Sequence, residues 1–291
     1  MRDKKGGKTK YLMKTILNGR TKEVIIDTNG PVIIIGESIN PTRRKKLITT
    51  LQENDFTYLF ELAESQIRAG ADVLDVNVGF PGVDDVRLLP EVVIRIQEKF
   101  DIPLCLDSPN PKAIEAALKV SEGKCLINSV NGKEESMMAL LPVARDFGAA
   151  IIGLCMDDDG ITNDPEKRFA IAEKIIERAV RTGIRKEDII VDPLAMAVSA
   201  DPQACMVTLE TIRLVHQRLC HNITMGASNI SFGLPNRENI NNAFMAISII
   251  NGLTCPIANP GMISGLVRAT DLVLGRDDYA IRFIEHYQST L

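Results

Sequence analysis

Acidic and amide side chains recur at the ends of short apolar runs along this chain. They are Glu37 and Asn40, Asp75 and Asn77, Asp107 and Ser108, Asn128 and Ser129, Met156 and Asp157, Asp192, Ser228 and Asn229, and Asn259. Carboxylates accept hydrogen bonds, while asparagine both donates and accepts, so such a set suits a neutral ligand with an edge rich in N–H groups. Lysine, arginine, histidine and tyrosine are missing from the same run ends. That absence argues against a phosphorylated sugar or a phosphoanhydride, although a helix N-terminus can still hold phosphate through backbone groups. Without histidine or paired cysteine, the run ends also offer no obvious nucleophile and no zinc ligand set.

Plainer readings stand beside this one. Asp75 and Asn77 can cap a loop or brace neighbours, and Glu37 can be a structural carboxylate paired with Arg43 or Arg44. Asp157, Asp158 and Asp159 before Gly160 read as a solvated loop. Acidic clusters can bind magnesium, but Asp107, Asn128 and Asp192 lie on three separate runs with no second ligand beside each, so no bound metal is expected. The six cysteines form no CxxC pair, and several lie within apolar runs, where free cysteine behaves as a small hydrophobe.

The runs themselves supply the scaffold. Apolar, β-branched stretches at 31–37, 71–79, 102–108, 124–130, 149–156, 189–195, 223–229 and 255–261 alternate with segments of helical period. In the segment 58–69, Leu59, Leu62, Ala63 and Ile67 recur at helical spacing, and Asn110-Pro111 and Asp164-Pro165 read as caps opening helices. Eight nearly continuous apolar strands, each followed by a helix, are what a single (β/α)8 TIM barrel requires, and active sites of that fold lie at the C-terminal strand ends. A doubly wound open sheet competes, but the first run ends Gly36-Glu37-Ser38 without a GxGxxG turn. Before the barrel, runs at 11–17 and 24–27 around Asn18-Gly19 predict a hairpin. The expected organisation is residues 1–30 as tail and hairpin, with the hairpin closing the bottom of the barrel formed by residues 31–291.

Bulk properties fit one such domain. A chain of 291 residues with 45% hydrophobic and 25% charged residues can bury a large core. The net charge of -4 argues against a nucleic-acid footprint, and the basic cluster between Arg2 and Lys10 reads as a solvated tail. No apolar run approaches the ~18 residues of a membrane span, and the start lacks a secretory pattern, so a cytoplasmic protein is expected.

A pterin has an amino group, a ring N–H and a ring carbonyl along one edge, and two carboxylates and an amide can satisfy it. The runs CLDSPNP from Cys105, CLINSV from Cys125, IVDPLA from Ile190 and GASNISFGL from Gly226, in this order, together resemble one family. It is the methyltetrahydrofolate:corrinoid protein methyltransferases, which share a pterin-binding domain with dihydropteroate synthase and cobalamin-dependent methionine synthase. The resemblance runs from about residue 31 to the C-terminus. It implies that Asp107, Asn128 and Asp192 hold the pterin edge and that Asn229 is catalytic, near the N5 atom that carries the methyl group. Asp75, Asn77, Gly226 and Ser228 are expected to join the substrate-binding set, with Glu37, Asn40, Met156, Phe232 and Asn259 as further candidates. It also implies tetrahydrofolate or 5-methyltetrahydrofolate as substrate, a homodimer, and a corrinoid carried by a partner protein, since the chain contains no DxHxxG motif. Phe232 stands where a glutamine-like residue is familiar, and the run end at Asn259 lacks the expected acidic residues.

Two rivals remain open. A dihydropteroate synthase-like enzyme would carry a lysine near the seventh strand, but 226–234 has none, although Ser38-Ile39-Asn40-Pro41 echoes that family. A non-catalytic pterin-binding subunit would have no need of Asn229.

Overall fold

A computed structural model describes residues 13–289. The start of the first expected run and the basic cluster lie outside the described residues. β1 (Lys14–Asn18) and β2 (Glu23–Asp27) form the antiparallel hairpin. Asn18 pairs with Glu23, so the connection is residues 19–22 rather than a two-residue Asn-Gly turn. The longer loop is fixed from outside, because the Thr21 N–H donates to Asp101 at 3.1 Å.

Seven parallel strands follow: β3 (Ile35–Ile39), β4 (Val73–Asn77), β5 (Leu104–Asp107), β6 (Leu126–Asn131), β7 (Ala150–Leu154), β8 (Ile189–Asp192) and β9 (Ile257–Ala258). Their order is β8-β7-β6-β5-β4-β3-β9. The seventh run, 223–229, makes only isolated bridges, Val191 to Ile223 and Gly226 to Ile257, but these join the two edge strands and close the ring. It is short because the chain leaves the sheet after Gly226 into a 3₁₀ turn, Ala227–Ser231, which carries Asn229.

Helices cover the outside. α1 (Lys45–Gln52) and α2 (Thr57–Arg68) follow β3, α3 (Asp85–Lys99) follows β4, and α4 (Pro111–Val120) follows β5. α5 (Glu134–Asp146), α6 (Pro165–Thr182) and α7 (Ala204–Leu214) follow β6, β7 and β8. α8 (Arg237–Asn251) comes after the seventh run, and α9 (Pro260–Val273) and α10 (Ile281–Ser289) follow β9. The expected caps form: Asn110 accepts from the Lys112 N–H at 3.1 Å and Asp164 from the Glu166 N–H at 3.0 Å, each before a proline in the first turn.

Two cores result. One lies between strands and helices. The other fills the barrel interior, where Val73, Cys105, Leu126, Ala150, Ile190 and Ile257 meet Leu17, Val24 and Ile26 of the hairpin. The hairpin plugs the bottom of the barrel. Asn18 and Lys124 exchange backbone hydrogen bonds at 3.1 Å, and the buried Asn222 amide donates to Thr15 Oγ1 at 3.0 Å and to the Ile26 carbonyl at 2.8 Å. With one end filled this way, a ligand can enter only at the C-terminal face.

Asn222→Ala removes both bonds and leaves the Ile26 carbonyl buried without that donor. The expected cost is about 2 kcal/mol of stability, measured by urea denaturation. A change below roughly 0.5 kcal/mol would show that the hairpin is not anchored through this amide.

Candidate functional site

A cavity of about 550 Å³ opens at the C-terminal face of the barrel. Glu37, Asn40, Asp75, Asp107, Asn128, Asp192, Gly226, Ser228, Asn229 and Phe232 all line it. Ten expected site residues from six barrel segments therefore share one wall. Asn77, Met156 and Asn259 do not. Asn77 lies behind the wall and donates to Asp107 Oδ2 at 2.8 Å, while Asn259 caps α9 by accepting from the Gly261 N–H at 3.0 Å. At the end of β7 it is Leu154, not Met156, that reaches the cavity.

The floor is a lattice across adjacent strands. Register places Asp75 of β4 beside Cys105 of β5, and Asp107 of β5 beside Asn128 of β6. Asn128 Nδ2 donates to Asp75 Oδ1 at 3.2 Å. Asp192 Oδ1 accepts from the Leu194 N–H at 2.7 Å. These contacts hold one oxygen of each carboxylate, and among the described residues Asp107 Oδ1 and Asp192 Oδ2 have no protein partner. Two acceptors, on β5 and β8, with the Asn128 amide on β6 between them in strand order, match the donor-rich edge of a pterin. The groups present fit that ligand.

A second layer aims these side chains. Leu194 adopts φ +65°, a left-handed conformation that is costly for a residue with a Cβ. Three bonds hold this loop: Asp192 takes the Leu194 N–H, and Arg168 Nη1 and Thr208 Oγ1 both donate to its carbonyl at 2.8 Å. Arg168 is fully buried and also binds the carbonyls of Thr162 and Pro193. At the first strand, Gln66 Oε1 accepts from the Ser38 N–H at 2.7 Å, and a Cβ on Gly36 would lie 2.5 Å from that oxygen. Asp85 at the start of α3 accepts from Ser108 at 3.0 Å and from Asn110 at 2.8 Å, steadying the loop after Asp107. Sequence reading missed this layer because Arg168, Gln66 and Asp85 sit on helices, where charged and amide residues ordinarily face solvent.

Glu37 does not form the expected ion pair. It accepts from the Ser228 hydroxyl, at 3.3 Å to Oε2. The run ends do lack cations, as read, but the cavity does not: Arg43 and Arg44 line it from the loop after β3 and Arg237 from the start of α8. The argument against anionic ligands therefore fails at the mouth. Arginines placed several residues past a strand end still reach back over the opening.

The fold and site together define a pterin-binding barrel, and comparison with known proteins agrees. Residues 36–259 match the pterin binding enzyme family, and the chain belongs to that family. It is 32% identical to a methylcorrinoid:tetrahydrofolate methyltransferase of Eubacterium limosum, over 84% of this chain and 92% of that protein. It is 29% identical to a methionine synthase of Mycobacterium tuberculosis over 85% of this chain but only 23% of that longer protein. Among solved structures it resembles a Yersinia pestis dihydropteroate synthase with a pterine-sulfa conjugate, with TM-score 0.69, 17% identity and coverage of 90% of this chain and 99% of that one. A Vibrio fischeri 7,8-dihydropteroate synthase gives TM-score 0.67 at 17% identity, over 90% of this chain and 99% of that one. At such identity these structures establish the (β/α)8 barrel architecture alone.

Burial gives the floor an unusual protonation. Desolvation raises Asp192 to about 7, against a partial offset from the Leu194 N–H and the field of Arg168. Asp75 lies higher than an ordinary aspartate, first through desolvation and then through the neighbouring charge of Asp107, which desolvation also raises. A protonated carboxyl donates as well as accepts, so the floor is not the acceptor-only surface that residue types suggest. The folded chain here holds protons that an unfolded chain releases near 3.8. Stability must therefore fall as pH rises from about 4 through about 7. The melting temperature of the ligand-free protein is expected to drop across that window, less steeply in Asp75→Asn. Parallel profiles for the two proteins would show that Asp75 ionises normally.

Proposed function

We propose that this enzyme transfers a methyl group between N5 of tetrahydrofolate and the cobalt of a corrinoid carried by a separate protein. The observation that carries the reading is the convergence of Asp107, Asn128, Asp192 and Asn229 on one cavity. The kinship with a methylcorrinoid:tetrahydrofolate methyltransferase along nearly its whole length supports the choice of reaction. In this reading residues 31–291 form the pterin-binding barrel, with the N-terminal hairpin as its plug.

Asp107 and Asp192 accept the N–H groups of the pterin edge, and Asn128 complements its carbonyl. Asp75 acts from behind, by holding Asn128. Displacement of a methyl group from N5 requires a tertiary amine to leave, and such a leaving group is poor unless N5 gains a proton or a hydrogen bond. Asn229 supplies the hydrogen bond. Its amide has no proton to give up near neutral pH, so it stabilises N5 as basic character develops and the proton comes from water. Stabilisation that grows towards the transition state is what accelerates a reaction. Gly226 leaves room for this side chain: a Cβ there would lie 3.0 Å from Asn229 Nδ2.

A dihydropteroate synthase-like reading draws on the three arginines, which could meet a pyrophosphate. The lysine expected for that chemistry is missing from 226–234. The reading also includes a cytoplasmic homodimer. No described helix is long and apolar enough to cross a membrane. Exposed apolar side chains on α8 to α10, among them Ile250, Val273, Ile284 and Tyr287, support self-association through these helices.

Asn229→Ala is expected to slow methyl transfer roughly a hundredfold, while the affinity for folate measured by calorimetry changes by less than about threefold. Equal losses in rate and affinity would contradict a transition-state role. Asp107→Ala or Asp192→Ala should weaken folate binding by roughly tenfold or more. Unchanged affinity would remove that residue from the pterin edge.

A further inference from the structure

We infer that Arg43, Arg44 and Arg237 form a subsite for the carboxylates of the folate glutamate tail, so that the enzyme reads how many glutamates its substrate carries. This rests on the folate reading above and specifies its far end.

The three guanidiniums line the same cavity as the pterin floor. Elsewhere on the chain, arginines such as Arg178, Arg213, Arg218 and Arg268 are paired with carboxylates. Among the described residues, Arg43, Arg44 and Arg237 have no such ion pair. Glu37 lies in the field of Arg237 and Arg44, but its bonded partner is Ser228, and desolvation holds it above the usual carboxylate range. The lip therefore carries positive charge that the protein itself does not neutralise.

Two of the three are tethered in place. Arg237 donates from Nε to Ser231 Oγ at 2.9 Å and from Nη2 to the Ser228 carbonyl at 2.7 Å. Among the described residues its Nη1 has no partner. The Arg43 guanidinium lies 4.9 Å from the centre of the Phe232 ring, which is half exposed at the same lip. Backbone geometry supports both placements: Arg43 itself has φ +61°, and Asn236, just before Arg237, has φ +49°. Pre-ordered guanidiniums lose less freedom on meeting a carboxylate, and their planar fork suits it.

The cavity is thus polarised, with buried acids at its floor and guanidiniums at its lip. A ligand with N–H donors at one end and carboxylates at the other is matched at both ends. Phe232 adds apolar surface between them, where the aminobenzoyl ring leaves the pterin. The neighbouring cavity beyond Asp107 and Asn128 is a poorer route for an anionic tail, since its Lys133 is accompanied by Glu135. An acidic face of the corrinoid protein would also meet this lip. The placement inside the cavity wall, beside Asn229, favours the substrate's own tail.

The test compares anaerobic calorimetry of three probes: tetrahydropteroate without glutamate, tetrahydrofolate with one, and tetrahydrofolate with three. The proteins are wild type, Arg43→Gln, and the triple variant Arg43→Gln, Arg44→Gln, Arg237→Gln. Wild-type affinity is expected to rise along the series by roughly tenfold in all, less at high salt, and the series to flatten in the triple variant. Equal wild-type affinity for all three probes would overturn the subsite. So would a gradient that survives in the triple variant, including the case where only transfer to a protein-bound corrinoid slows, which would assign the lip to partner docking. Equal loss for all three probes would place the arginines' effect on the pterin or the fold; Arg43→Gln, an exposed change, guards against a mere folding defect. Failure of wild type to bind any probe would overturn the folate reading itself.

Discussion

The structure depends on keeping carboxylates at the ends of parallel strands where water is largely excluded. Asp75 and Asp192 are almost completely buried, and Asp107 stands one strand from Asp75. An isolated buried charge costs too much to persist, so such groups must hold protons, pair or take hydrogen bonds. Here they do the first and the last: Asn77 and Asn128 supply amide donors from neighbouring strands, and the Leu194 N–H holds Asp192. In the proposed reading, ligand N–H groups complete what these amides begin. Affinity and selectivity then share one origin, because any ligand lacking those donors leaves desolvated acids unmatched.

Everything else in the barrel serves that arrangement. The hairpin fills the bottom, so the interior beneath the acids is apolar. Parallel register sets Asn77, Asp107 and Asn128 side by side, with Asp75 two residues earlier on β4, which fixes their spacing by backbone geometry rather than by flexible loops. Less regular chain supplies the rest of the site. Arg168 and Thr208 hold the loop behind Asp192 in a strained conformation, and Asn229 rides on a 3₁₀ turn that starts where the seventh run leaves the sheet. A short seventh run is what frees Asn229 to line the cavity.

Much of this was legible from the residues. Apolar runs ending in Asp or Asn gave the barrel and the floor together, since both follow from local pattern and from the rule that strand ends form the site. Three things were not legible. The hairpin turn lengthened because Asp101, eighty residues away, captures Thr21. Met156 and Asn259 have suitable types at suitable ends, but one is not part of the cavity wall and the other caps a helix, and spacing cannot tell these fates apart. The arginines of the lip escaped notice because they lie past the strand ends, and only folded loops bring them back over the mouth.

The central claim is that the acid floor binds a reduced folate so that its N5 methyl group can be exchanged with cobalt. It is tested most directly by an anaerobic assay with methyltetrahydrofolate and free cob(I)alamin, following the Co(I) absorbance, with the reverse reaction run alongside. The expected result is loss of Co(I) absorbance dependent on the enzyme, with tetrahydrofolate formed in equal amount. Absence of turnover, together with no binding of either folate by calorimetry, would contradict the account.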